Sequence, residues 1–315
     1  MPNSDSSTII DVAVGVISRS DGHILLAERP TGKPWSGYWE FPGGKFEIGE
    51  SPVEALAREL HEELGIELDT AYPWITRHYT YPERTVRLHM YRVERWHGEP
   101  HGRETQDLSW VDPHDISVSP LLPANHGILQ ALNLPQVYAI THASKYGIPE
   151  FMQRLQNALD HGVRLIQVRE RNMSPAQLAS FADKIVSLAH RHDAMVLING
   201  DRNMALESGA DGVHLPAGQL MQYRSRPDTG LLGASCHNRD ELLHAARLEA
   251  DFAVLSPVLP TQSHPGEPNL GWETFARLCR DLPMPVYALG GMRVDLKDTA
   301  RHHNAHGVAL LSGIW

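Results

Sequence analysis

The sequence predicts an α/β protein of two domains: a mixed sheet domain over residues 1–134 and a parallel (β/α)8 barrel lacking its last helix over 135–315. Three observations predict this. The chain has 315 residues, about two ordinary domains, each large enough to bury its own core. In the first part, strand-like runs surround one strongly capped helical pattern at 51–65. In the second part, eight short apolar runs alternate with helical patterns over roughly 180 residues.

The first domain opens on polar residues 1–8, expected to fray. Residues 9–18 are rich in Ile and Val and read as a strand, which Asp21-Gly22 turns into a second strand at 23–28. Residues 31–37 hold Gly, Pro and Lys and read as a loop. The helix follows: Ser51 suits its N-cap, Pro52 its first position, Glu54 completes a capping box and Gly65 suits the stop. Residues 71–90 carry strand-like segments, with 77–81 and 85–93 separated by the turn Pro82-Glu83-Arg84. A short strand at 108–111 and a short helix at 124–132 complete the domain, and Pro135 closes it.

In the second domain the strand-like runs are 137–140, 165–168, 195–198, 212–215, 231–234, 252–255, 285–289 and 308–311. Helical patterns lie at 148–161, 175–192, 239–249 and 272–280. The chain ends soon after the eighth run, so the flank where an eighth helix would pack is left to the first domain or to a second subunit in a homodimer.

Composition narrows the function. Formal net charge is −10. Residues 1–135 hold 11 Lys/Arg and 20 Asp/Glu, whereas residues 136–315 hold 17 and 18. An acidic first domain excludes a nucleic-acid polymer as partner, which needs a basic face. The two cysteines, Cys236 and Cys279, form neither a disulfide framework nor a zinc spacing, and a reducing cytoplasmic setting is the simplest. The N-terminus lacks a secretory pattern, and no apolar run approaches membrane-spanning length, so no membrane partner is expected.

The chemistry concentrates on the first helix. Glu59, Glu62 and Glu63 stand at i, i+3 and i+4, so their carboxylates share one face. Three anions there repel one another, and a hard divalent cation such as Mg²⁺ explains their retention, with phosphate oxygens filling further positions.

The spacing Gly44-x5-Glu50-x7-Arg58-Glu59-Leu60-x-Glu62-Glu63-x-Gly65-Ile66 resembles the complete Nudix box. The resemblance implies an α/β/α sandwich and a pyrophosphohydrolase. Three further segments are similar to the MutT type, an 8-oxo-dGTP diphosphatase that prevents mutation: Glu40-Phe41-Pro42-Gly43-Gly44-Lys45, Val93-Glu94-Arg95-Trp96-x-Gly98-Glu99-Pro100 and Pro123-Ala124-Asn125. That resemblance implies Mg²⁺ (or Mn²⁺) as cofactor and a nucleoside triphosphate as substrate. It implies Glu59, Glu62, Glu63 and Glu104 as metal-binding and catalytic residues, with the Gly43 carbonyl as a further ligand. Arg29 and Asn125 match positions that contact phosphate or the oxidised guanine edge, and Phe41 lies in the segment walling the base pocket. Lys45 either neutralises phosphate charge or lies along the surface. Asn125 alternatively caps the late helix, Glu104 is alternatively a solvated loop residue, and Arg58 with Glu50 reads as a structural ion pair. The residues leave open which glutamate ligates and which accepts the proton.

The barrel resembles thiamine-phosphate synthase and its TenI-type relatives. The matching stretches are Gln167-Val168-Arg169-Glu170-Arg171, residues 209–215, Gly233-Ala234-Ser235-Cys236-His237, residues 256–261, Ala288-Leu289-Gly290-Gly291-Met292 and residues 307–313. Gly290-Gly291 and Ser312-Gly313 follow strands 7 and 8, where barrels commonly bind phosphate through backbone N–H groups, so a phosphorylated ligand is expected there. The sequence departs from the synthase at its metal acids. Glycine stands after Asn199, with Asp201 displaced by one, and Leu-Pro-Ala-Gly-Gln-Leu after His214 contains no acid. The phosphate segment becomes Thr261-Gln262-Ser263-His264, and Ser256-Pro257 stands where the tautomerase has its histidine. His214 and His237 read as polar residues packed at the barrel mouth. The principal reading is a Mg²⁺-dependent hydrolase of oxidised purine triphosphates. Its alternative is a Nudix hydrolase for a thiamine-related or other pyrophosphate, the barrel serving as a phosphate-binding, dimerisation or residual synthase module.

Overall fold

The computed structural model describes residues 9–261 and 268–315. The readings made for residues 1–8 and for Gln262, Ser263 and His264 lie outside the described residues. The chain divides into two compact units, Met1–Asn133 and Leu134–Trp315.

The first unit comprises β1 (Ile10–Ile17), β2 (Ile24–Glu28), β3 (Trp39–Glu40), β4 (Gly43–Lys45), α1 (Pro52–Leu64), β5 (Glu67–Tyr81), β6 (Arg84–His97), β7 (Leu108–Val111) and α2 (His126–Leu132). Its strands form a four-stranded sheet, β4-β1-β6-β5, and a three-stranded sheet, β3-β2-β7. Strand β1 shows how the layers arise from period-two alternation. Ala13 and Ile17 join Leu56, Leu60 and Leu64 of α1 in one core cluster. Val14 and Val16 face the other way, into a cluster with Phe41, Trp74 and with Ile128 and Leu129 of α2. The two helices therefore cover opposite faces.

Several expected elements change at their edges. The strand expected at 77–81 begins earlier: β5 runs unbroken for 15 residues from Glu67 to Tyr81. Register shifts at Leu68/Thr70, Thr70/Ala71 and Pro73/Thr76 break its alternation, which hides its length in the sequence. Arg84 already pairs within β6, which leaves Pro82 and Glu83 as the turn. The late helix opens with a 3₁₀ turn, Pro123–Asn125, and α2 proper begins at His126.

The second unit is a closed barrel of eight parallel strands: β8 (Val137–Ile140), β9 (Leu165–Val168), β10 (Met195–Asn199), β11 (Gly212–Leu215), β12 (Leu231–Cys236), β13 (Phe252–Leu255), β14 (Val286–Ala288) and β15 (Gly307–Leu310). Its helices are α3 (Ala143–Tyr146), α4 (Ile148–Asp160), α5 (Pro175–His190), α6 (Arg202–Glu207), α7 (Ala217–Leu220), α8 (Arg239–Arg247), α9 (Gly271–Cys279) and α10 (Lys297–His302). Tyr138, Leu165, Leu197, Phe252, Val254 and Tyr287 fill the interior. His214 is 1% exposed, so it lies inside the barrel and not packed at a solvated mouth. Trp315 packs edge-on against Phe151 of α4, 4.8 Å between centroids. Its indole N–H donates to the Ile140 carbonyl at 2.8 Å.

Candidate active site

The site is assembled around α1. The Ser51 capping box starts the helix, and Gly65, at φ 68°, ends it in the left-handed conformation. Leu56, Leu60 and Leu64 are fully buried and turn the glutamate face outward. Burial of each contributes roughly 1.5–3 kcal/mol.

Two glycines bring the β3–β4 segment against that face. Gly43 has φ +140°, and a Cβ there would lie 2.1 Å from the Ala13 carbonyl oxygen. A Cβ on Gly44 would lie 2.0 Å from the Glu59 carboxyl carbon. Only glycine permits both approaches. Across this contact the Gly43 N–H donates to Glu63 Oε2 at 3.1 Å.

Arg58 organises the carboxylates. Its Nε and one Nη donate to the two oxygens of Glu50 at 2.7 and 2.9 Å, and that Nη also donates to the Lys45 carbonyl at 2.9 Å. Its other Nη donates to Glu59 Oε1 at 2.9 Å and Glu62 Oε2 at 3.2 Å. The guanidinium and the Glu47 N–H hold Glu50 down to about pKa 2. Glu59 is 17% exposed and Glu62 57%, so Glu59 is the inner of the two.

Glu63 is the electrostatic centre. Burial pushes its carboxyl up to about 8; the Gly43 N–H opposes this, the nearby Glu40 and Glu59 charges add to it, and Lys33 opposes it. Glu40 was not anticipated as a site residue. Burial raises its pKa, against the pull of Arg29 and Lys33. It accepts from Arg29 Nη1 at 2.5 Å, while Arg29 Nε donates to the Pro34 carbonyl at 2.8 Å.

Glu104 is brought in by a loop stitched to the end of α1. The His101 and Arg103 N–H groups donate to the Leu64 and Glu63 carbonyls at 3.1 and 3.0 Å. Gln106 Nε2 also donates to the Glu63 carbonyl, at 3.0 Å, and Gln106 Oε1 accepts from the Glu104 N–H at 2.7 Å. The Glu104 carboxylate is paired with Lys33 Nζ.

Asn125 is 5% exposed. Its side chain makes no helix cap; Nδ2 instead donates to the Trp39 carbonyl at 3.2 Å. Phe41 is 3% exposed and belongs to the core shared with α2. Lys45 has an exposed side chain and contributes its carbonyl to Arg58.

Among the described residues no three His, Cys, Asp or Glu side chains already converge as a metal-binding group. Arg58 stands between Glu59 and Glu62, and Lys33 holds Glu104. The donor set nevertheless fits a hard divalent cation: hard carboxylate oxygens, one of them buried with like charges beside it. A cation would supply the positive charge that keeps Glu63 ionised.

The barrel does not fit a metal in the same way. Asp201 caps α6, accepting from the Met204 N–H at 2.9 Å, so its carboxylate is engaged in the fold. Beside it is a cavity of about 330 Å³ lined, among the described residues, by Gly200, Gln219, Gln222 and Tyr223, none of them an acid. Inside the barrel, His214 Nδ1 lies 3.1 Å from Tyr138 Oη and Nε2 2.8 Å from Ser235 Oγ. Burial, helped by the Arg169 charge, lowers its pKa to about 3, so it is a neutral packing residue. His237 is exposed, with Nδ1 3.0 Å from the Ser256 carbonyl. Gly290 and Gly291 have φ of 98° and 68° and pack against Pro257 and Leu259. Gly313 adjoins Met292, which brings the two expected phosphate turns side by side, and Ser312 and Gly313 are exposed.

A NUDIX domain model matches residues 10–132, and a thiamine monophosphate synthase model matches residues 137–314. Over 124 residues the chain is 40% identical to the 8-oxo-dGTP diphosphatase of Haemophilus influenzae, covering 39% of this chain and 91% of that one. Over 123 residues it is 41% identical to the CTP pyrophosphohydrolase of Escherichia coli, covering 39% and 90%. Over 183 residues it is 30% identical to the thiamine-phosphate synthase of Thioalkalivibrio sulfidiphilus, covering 57% and 87%. The chain belongs to the Nudix hydrolase family through its first domain and to the thiamine monophosphate synthase family through its second.

Proposed function

We propose that the first domain hydrolyses nucleoside triphosphates carrying an oxidised purine, 8-oxo-dGTP foremost, to the monophosphate and pyrophosphate, and so prevents mutation. The observation that carries this reading is the continuity of residues 39–44. Trp39 accepts from Asn125, Glu40 holds Arg29, Gly43 donates to Glu63, and Gly44 receives Glu59. One short segment therefore links a buried amide, suited to a base edge, to the carboxylates suited to a polyphosphate.

Glu59, Glu62, Glu63 and Glu104, with the Gly43 backbone, would hold Mg²⁺ or Mn²⁺, which when bound screens the polyphosphate and stabilises charge on the leaving phosphate oxygen. The chain's own groups do the rest. We assign proton removal from the attacking water to Glu59, which is 17% exposed and accepts from Arg58, or to Glu104. Water oxygen bonds to one phosphorus as the phosphoanhydride bond between the monophosphate and pyrophosphate products breaks. Asn125 offers an amide N–H and a carbonyl oxygen, matching a purine edge that changes its donor pattern on oxidation.

A second substrate reading, a thiamine-related pyrophosphate, is favoured by the covalent link to a synthase-family barrel. The barrel itself we read as a phosphate-ligand binder without pyrophosphate-releasing chemistry, because Asp201 is committed to the α6 cap and the adjoining cavity is neutral. Calorimetric titration of the full chain with 8-oxo-dGMP and dGMP tests the principal reading. The oxidised nucleotide should bind at least ~10-fold tighter, and Asn125→Ala should erase the difference, as loss of a buried hydrogen bond would. Equal affinity for both nucleotides in the intact chain contradicts it.

A further inference from the structure

We propose that Lys33 is the resident counter-ion of the carboxylate site: a divalent cation displaces it from Glu104, and the freed ammonium moves to the polyphosphate of the substrate. This rests on the metal-dependent hydrolase reading above and adds a residue to it.

Three cations of the chain border the glutamates, and their tethers differ. Arg58 is fixed by both oxygens of Glu50 and by the Lys45 carbonyl. Arg29 is fixed by Glu40 and the Pro34 carbonyl. Among the described residues the Lys33 ammonium has a single tether, the Glu104 carboxylate, 71 positions away in the chain. Both partners are close to half exposed, 46% and 43%, so the pair is held by little and exchanges readily. The Lys33 charge also bears on Glu40 and Glu63.

The loop that carries Lys33 is anchored on both sides of it. The Lys33 N–H donates to the Pro30 carbonyl at 3.3 Å, and the Gly37 N–H to the Arg29 carbonyl at 3.0 Å. The Trp35 ring packs against Tyr38 and Tyr81 at 5.1 and 5.8 Å. Backbone position is thus set while the side chain keeps its rotamers. Glu104, in turn, is fixed through Gln106 to the end of α1. A doubly charged ion bound by Glu104 competes directly with a singly charged ammonium there. An ammonium released beside a triphosphate finds a better partner in the phosphate oxygens, as a compact, rotatable donor.

The test uses the full chain and two readouts. Free Mn²⁺ is followed by electron paramagnetic resonance without nucleotide, and steady-state kinetics with 8-oxo-dGTP are measured separately. Lys33→Met should bind Mn²⁺ about two- to fivefold tighter, the size of an exposed ion pair removed from competition. It should also raise KM about tenfold with kcat nearly kept, as loss of a charged hydrogen bond to phosphate would. Lys33→Arg should restore KM. Mn²⁺ affinity that is unchanged or weaker in Lys33→Met overturns the exchange. If Glu63→Gln leaves Mn²⁺ binding unaltered, the site reading fails, and this inference with it.

Discussion

At the scale of single residues, Glu63 joins the fold to the chemistry. Its carboxyl is pushed up to about 8, from an ordinary 4.5, by burial and by the neighbouring Glu40 and Glu59 charges. The consequence for stability has a definite sign. Below about pH 4.5 both folded and unfolded chains hold the proton. Between about 4.5 and 8 the metal-free fold keeps a proton that the unfolded chain releases, so stability falls as pH rises, levelling off above 8. In thermal unfolding with a chelator from pH 5 to pH 8, the wild type should therefore lose more stability than Glu63→Gln. The expected difference is on the order of a few kcal/mol. Parallel loss in both proteins would remove Glu63 from this role. The glutamate face was legible in the sequence because helical geometry alone sets i, i+3 and i+4 on one side. Glu40, Lys33 and Gln106 were not, because their roles arise from contacts between distant segments, Lys33 to Glu104 across 71 positions and Gln106 to Glu63 across 43.

At the scale of elements, α1 and the β3–β4 segment form one unit. Gly44 is the contact between them, since a Cβ would meet the Glu59 carboxylate at 2.0 Å. Gly44→Ala should cut kcat/KM by ~100-fold while costing only about 1–2 kcal/mol in stability, because Glu59 can swing outward and forfeit its place. Kinetics beside denaturant unfolding check this, and unaltered turnover would show that the close approach is incidental. The limits of α1 were readable because Ser51, Pro52, Glu54 and Gly65 each carry local backbone chemistry. Helices α3, α6, α7 and α10 went unread, since four to six residues are too few to display a period. Asp201 illustrates the cost of that omission: as a loose acid it suggests a displaced metal ligand, and as the cap of α6 it is structural.

At the scale of the molecule, two families are joined in one chain, and their sites differ in kind. The barrel strands were readable because a parallel strand buried on both faces is written as a short continuous apolar run. The cavity beside Asp201 was less readable, since Gly200, Gln219, Gln222 and Tyr223 meet there from separate segments of the chain. The first domain gathers several carboxylates around Glu63, while the barrel presents a cavity lined by glycine, glutamine and tyrosine and two adjoining glycine turns. Among the described residues no helix is long and apolar enough to cross a membrane.

The most direct test of the substrate assignment is a kcat/KM comparison for the full chain, with Mg²⁺, on 8-oxo-dGTP, dGTP, CTP and thiamine diphosphate, scoring pyrophosphate and monophosphate products. The proposed function predicts that 8-oxo-dGTP leads by at least ~10-fold and yields 8-oxo-dGMP plus pyrophosphate. A lead for CTP or for thiamine diphosphate would contradict the oxidised-purine assignment.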